Sequence, residues 1–239
     1  MARACVCADR LTVNAQGELC VIPGSLGLRQ ILYFNDPGVF QFTKASYPWL
    51  ARVRVKVQGG GGGSAGADAA ANQLIARPGG AGGGYSESLI SVGTLGASEA
   101  ITVGAGGSAG SSNNGGGAGG SSSFGGLVVA PGGDGGTAAM ASATTPNTAT
   151  GVPGPLAGTG QFRQGGGPGG AAIRLNATEG MGGQGGESFL GHGGFARGSE
   201  GPGTASRGYG GGAGGPLSMG GAMAGEAGGD GIVIVELYG

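Results

Sequence analysis

Hydrophobic and polar positions alternate most clearly at residues 51–58, ARVRVKVQ, where Val53, Val55 and Val57 take turns with Arg52, Arg54 and Lys56. A period of two sends successive side chains to opposite faces, so this stretch predicts a half-buried strand with one valine face and one basic face. Near the end of the chain residues 232–235, IVIV, are continuously apolar, the pattern of a strand covered on both faces or lying at a subunit boundary. Short apolar islands at 85–92 (YSESLISV), 100–103 (AITV) and 122–130 (SSFGGLVVA) predict further strands. Ahead of all of them, apolar stretches at 19–22 and 28–34 are punctuated by Pro23, Gly24 and Gly27. Residues 1–32 read as an N-terminal attachment segment and residues 33–239 as one glycine-rich β domain. Helix is expected to be nearly absent.

Composition changes this picture between the two outer strands. Of the 65 glycines in 239 residues, 59 fall among residues 59–230, without the strict triplet of collagen. Ordering glycine carries the largest backbone entropy cost of any residue. Yet only 10% of the chain is charged, and a solvated disordered coil normally needs more charge. An entropic linker also has no need of matched strands at its borders. The strands at 51–58 and 231–238 are therefore expected to share one sheet or sandwich, with glycine-rich excursions leaving and returning between them. Such excursions suit extended threefold helices whose backbone groups bond laterally, since no Cβ holds neighbours apart. The expected fold is all-β: a β-sandwich-like domain with polyglycine II-like segments and an N-terminal arm. Each lateral bond contributes only about 1 kcal/mol net, which argues for long bundles or several chains together, hence a homo-oligomer.

Charge and motifs exclude several functions. Twelve basic against thirteen acidic groups leave no basic field for nucleic acid. The chain opens without the features of a secretory signal, and no stretch approaches the apolar length of a membrane span, so a soluble protein without membrane insertion is expected. Cys5, Cys7 and Cys20 are confined to the start and His192 is the only histidine, so no metal, cofactor or disulfide framework is expected. The last lysine is Lys56, which removes a phosphate-binding loop. G-x-S-x-G occurs around Ser64 and Ser108, but SSNNGGG after Ser108 cannot begin the helix that a nucleophile elbow requires. No catalytic residue is assigned.

Aromatic and arginine side chains are scarce and sit in the breaks between glycine runs. Phe162, Arg163, Arg174, Phe189, His192, Phe195, Arg197, Arg207 and Tyr209 are the candidate receptor-binding residues. Aromatic faces stack on sugar rings and arginine forks onto carboxylates or phosphates, so such residues on distal loops suit a glycan or cell-wall polymer. The plainer alternative makes the phenylalanines plugs between glycine strands. Residues 137–162 form the longest interruption of moderate glycine content and are expected to be a surface loop.

The order FNDPGVFQFTKASYPWLARVRVKVQGGGGG, GGGYSESLISV, AITVGAGG, GGSSSFGGLVVAPGG and GGDGIVIVELYG resembles the glycine-rich domain of bacteriophage tail-fibre and tail-tip proteins. The resemblance covers roughly residues 33–239; Gln58 stands where that family often has tryptophan, and residues 1–32 show no counterpart. It implies a virion structural protein, made in the host cytoplasm and usually a trimer. Its N-terminal segment would dock on phage tail or baseplate proteins, and its glycine-rich end would face a host cell-surface glycan or protein. A purely structural tail, baseplate or collar protein is the alternative, and a glycine-rich bacterial surface protein another. An ice-binding bundle would need regularly spaced threonines, which here cluster at 144–150.

Overall fold

A computed structural model describes residues 11–22 and 27–239; Cys5 and Cys7 lie outside them. The first elements are a hairpin of β1 (Leu11–Val13) and β2 (Leu19–Val21), followed by β3 (Leu28–Phe34) and β4 (Gly38–Thr43). A single 3₁₀ turn at Lys44–Ser46 is the only helix among the described residues, and β5 (Arg52–Gln58) follows it. The glycine-rich region then contains β6 (Ala67–Asp68), β7 (Ile75–Ala76), β8 (Tyr85–Ser91), β9 (Ser98–Val103), β10 (Ser122–Phe124) and β11 (Val128–Ala130). Beyond these come β12 (Asn147–Ala149), β13 (Phe162–Gln164), β14 (Ala172–Arg174), β15 (Gly180–Met181), β16 (Gly191–His192) and β17 (Arg207–Gly208). The chain ends with β18 (Leu217–Ser218), β19 (Ala222–Met223) and β20 (Ile232–Tyr238).

The two strands expected to bracket the glycine region are direct neighbours. β20 runs antiparallel to β5 in unbroken register from Ile232 opposite Gln58 to Tyr238 opposite Arg52. They form the middle of a five-stranded sheet ordered β13-β8-β5-β20-β3. A second sheet, β11-β10-β9-β4, packs against it. Alternation now has its reason: Val53, Val55 and Val57 from β5, with Val233, Val235 and Leu237 from β20, meet Phe42, Ile101, Phe124 and Val128 of the other sheet. Each fully buried side chain of this size contributes roughly 1.5–3 kcal/mol. The boundary drawn at residue 32 falls within β3, which pairs with β20 from Leu28 to Phe34. Residues 28–32 therefore belong to the sheet rather than to a separate arm.

From the sandwich the chain runs outward and back repeatedly. Residues 59–66 leave β5 and donate backbone hydrogen bonds in rotation: Gly59, Gly60 and Gly61 to the carbonyls of Gly84, Gly120 and Gly229, then Gly62, Gly63 and Ser64 to Ala81, Gly117 and Glu226. They accept from Gly133, Gly107 and Ala213 on three further segments. Donors that point to a new neighbour at each residue and return after three have the period of a threefold extended helix. Three segments, 59–66, 77–84 and 210–216, pack together at the centre. Around them run 104–110, 115–120, 131–136, 165–170, 182–187, 193–195, 202–206 and 225–231, each bonded to one of the central three, while 150–158 lies outside them and bonds to 165–170. Residues 59–66 and 210–217 are buried throughout, whereas the rim exposes every third position, as in Ala105 and Ser108, Pro153 and Leu156, or Gln184 and Glu187.

At the far end the turns gather into a small cap. β6 pairs with β19, β7 with β18, and β14 with both β12 and β15. Leu74, Ala76, Met140, Ala149, Ala172 and Leu217 make its core. The stretch 137–162 is thus not one free loop: Met140 and Ala149 are buried in the cap, residues 150–158 are a rim segment, and β13 begins at Phe162. Arg77 and Arg174 pin the cap from inside. Arg77 donates to the carbonyls of Gly66 and Met140 and to Asn113 Oδ1, and burial pushes its guanidinium down to about 10.

Candidate functional site

The outward and return path decides where each candidate residue lies. Phe162, Arg163, Phe189, His192, Arg207 and Tyr209 all sit at the sandwich end of the bundle, on β13 or on the paired strands β16 and β17 and their flanks. They are not on the distal turns where exposed tips were expected. Arg174 faces inward: it is 3% exposed, its guanidinium donates to the carbonyls of Thr145, Leu74 and Ala141, and burial lowers its pKa. It is a clamp of the cap and unavailable to a receptor. Phe195, which ends the segment 193–195, and Arg197 just beyond it lie apart from the others, the Arg197 guanidinium 5.7 Å from the Phe195 ring centroid.

The group at the sandwich end is built on edge strand β13, which pairs with β8 so that Phe162 stands opposite Glu87 and Gln164 opposite Tyr85. Period-two geometry puts Phe162 on the outer face of the five-stranded sheet, in line with Arg54, Lys56, Glu87 and Tyr85. Phe189 arrives from the turn after 182–187 and stacks on Tyr85 at 4.2 Å between centroids, 22° from parallel. Phe162 meets both rings edge-on, 6.0 Å from Tyr85 and 5.9 Å from Phe189. Tyr85 is buried, but Phe162 and Phe189 are 50% and 51% exposed. The phenylalanines are therefore neither core plugs nor isolated tips; they form a half-exposed pair standing on a buried tyrosine.

Buried polar groups hold this pair. Gln58 is fully buried, and its amide donates to the carbonyls of Gly83 and Gly84, just before Tyr85, while its Oε1 accepts from the Leu190 amide. One side chain thereby ties the end of β5 to the turn that carries Phe189. An indole ring, which has a donor and no acceptor, could not make both kinds of bond. Ser188 Oγ donates to the carbonyls of Gly191 and Tyr209. Gly208 and Gly210, at φ +82° and +73°, make the sharp path around Tyr209 that a side chain would resist. Tyr85 Oη donates to Glu87 Oε2 at 2.7 Å; burial, reinforced by Glu87, pushes the phenol well above its ordinary range, so it remains a donor.

Shallow depressions flank the aromatic pair. One, of about 410 Å³, is lined by Arg52, Arg54, Glu87, Leu89, Phe162 and Tyr238. The other, of about 500 Å³, is lined by Glu187, Phe189, Leu190, His192 and Arg207. A third, along Pro168 and Gln184, shares Glu187 with the second. His192 Nδ1 lies 2.9 Å from Glu187 Oε2. The surface is open, with the aromatic pair between the two depressions. Ser64 is buried in a central segment, where its Oγ accepts from the Glu226 amide, and Ser108 lies exposed on the rim. No cluster of potential metal ligands occurs among the described residues.

Sequence reading missed Tyr85, Arg52, Arg54 and Glu87 as parts of this face. The alternation at 51–58 marked the arginines as outward-facing, but only the β5–β8 register places them beside Phe162. A family model described as a glycine-rich domain matches residues 38–238. No curated protein matches the chain.

Proposed function

We propose that this chain, which belongs to the glycine-rich domain family, is a non-catalytic receptor-binding protein of a bacteriophage tail, acting as a tail-fibre or tail-tip component that recognises the host cell surface. The observation that carries the binding role is the half-exposed pair Phe162 and Phe189, held on buried Tyr85 between two shallow depressions. Exposed aromatic faces on a rigid scaffold supply contact area with little ordering cost. A backbone-bonded bundle supports them from one side and the sandwich from the other. The order of strands and glycine runs, similar to that of tail-fibre and tail-tip proteins, supports the virion setting. In this reading three copies assemble and the N-terminal residues dock on the tail or baseplate.

Antibody to the chain should label the tails of purified virions, and the purified protein should bind host cells saturably. The double variant Phe162→Ala/Phe189→Ala is expected to lose about 30-fold or more in cell affinity, as truncation of paired aromatic anchors does, while its melting temperature moves little because both rings are half exposed. Undiminished binding by a folded double variant would remove this face from the receptor site. Labelling of virions without cell binding would assign the protein to the structural parts of the tail.

A further inference from the structure

Charge around the aromatic pair is unevenly satisfied. Each carboxylate on this face is already engaged: Glu87 by Arg54 and Tyr85, Glu187 by His192 and Gln184, Glu236 by Lys56 and Tyr238. Two of these contacts, Arg54–Glu87 and Lys56–Glu236, are the arginine and lysine ion pairs found among the described residues. Among the described residues, no carboxylate lies within ion-pair distance of Arg52 or Arg207. Arg52 lies with its guanidinium 5.4 Å from the Tyr238 ring centroid and lines the depression beside Phe162. Arg207 lines the depression beside Phe189. The face thus offers an uncommitted guanidinium on each side of a central aromatic platform, and its acidic groups are withdrawn into internal bonds.

We infer that the ligand of this face is an acidic polysaccharide, a chain of sugars bearing carboxylates, with one sugar ring packed in the angle between Phe162 and Phe189, whose planes lie 63° apart, and anionic neighbours reaching Arg52 and Arg207. This rests on the receptor-binding reading and narrows it to a class of ligand. Guanidinium pairs with carboxylate through two parallel hydrogen bonds, and a flat aromatic surface takes the apolar face of a sugar. A neutral glycan would leave both arginines without an anion, and a cationic one would be repelled by them.

The test uses the full chain and immobilised polygalacturonate and alginate as polyuronates, dextran as a neutral control, and a polyol-phosphate polymer to separate carboxylate from phosphate. Binding to the polyuronates is expected to exceed that to dextran at least tenfold and to fall steeply with added salt. Arg207→Gln and Arg52→Gln should each lower it about tenfold, and Arg207→Lys should restore part of the loss. Phe162→Ala/Phe189→Ala should abolish it. Preference for the polyol phosphate over both polyuronates would overturn the carboxylate assignment. Equal binding to dextran, or binding unchanged in both arginine variants, would overturn the acidic class while leaving the receptor-binding reading intact. Failure of the folded chain to bind any polyuronate would overturn the inference even if host cells are bound, whereas failure to bind cells as well would remove the receptor-binding reading with it.

Discussion

Replacing Gly62 by alanine lowers the unfolding free energy by about 3 kcal/mol or prevents folding altogether. Gly62 lies in the central segment 59–66, and a Cβ built on it falls inside 3.0 Å of the Asp134 carbonyl. That carbonyl accepts the Ala81 amide, while the Gly62 amide donates to the Ala81 carbonyl and its own carbonyl accepts from Ala213. The methyl therefore cannot be accommodated by turning a side chain; backbone must separate from backbone on several sides of a closed lattice. The opposing gain, from a less flexible unfolded chain, is only about 0.4–1 kcal/mol. Gly93 is the control, because nothing lies within 4 Å of a Cβ there. Gly93→Ala should leave stability within about 0.5 kcal/mol of the parent. Denaturant unfolding of the two variants side by side measures the difference, and equal midpoints would mean that the central triangle is not close-packed.

The same lattice explains what could be read from sequence. Strand β5 was legible because its valines and basic residues alternate, and β20 because four apolar residues follow a glycine run; their pairing followed from their positions at the borders of the glycine region. β3 and β4 were hidden, since Leu28, Ile31 and Tyr33 are exposed on an edge and give no clean period. The path of the glycine segments was illegible for a different reason. Glycine carries no side chain to mark which neighbour it meets, so nothing in the residue order distinguishes 59–66, fully enclosed, from 115–120 on the rim. For that reason Phe162, Phe189, His192 and Arg207 were recognised as a set by their scarcity, yet expected on loop tips rather than beside the sandwich. Arg174 was grouped with them by residue type alone, although its three carbonyl acceptors come from Leu74, Ala141 and Thr145, distant in sequence and brought together by the cap.

Arg77 makes the corresponding prediction for that cap. It is 1% exposed, and its guanidinium bonds to the Gly66 and Met140 carbonyls at 2.8 and 2.7 Å and to Asn113 Oδ1 at 2.6 Å, with no carboxylate among the described residues as partner. Arg77→Met fills much of the same volume but strands these acceptors, each costing about 1–3 kcal/mol when left buried without a donor. Relief of burying a cation offsets part of that loss. A net destabilisation of about 3 kcal/mol is expected, confined to the turn at 111–114 and residues 137–149, which should exchange amide hydrogens and admit protease while the β5–β20 core stays protected. The pH dependence separates this from a charge effect. A folded-state pKa lowered to about 10 means that the guanidinium is protonated in both folded and unfolded chains below that value. The stability difference between parent and variant should therefore be flat from pH 6 to pH 9. It should grow in the parent's favour only above about 10, where the folded form gives up its proton first and the penalty of a buried cation is relieved. A difference that changes between pH 6 and 9, or loss of protection throughout the sandwich, would show that Arg77 does not act as a neutral-pH clamp of the cap alone.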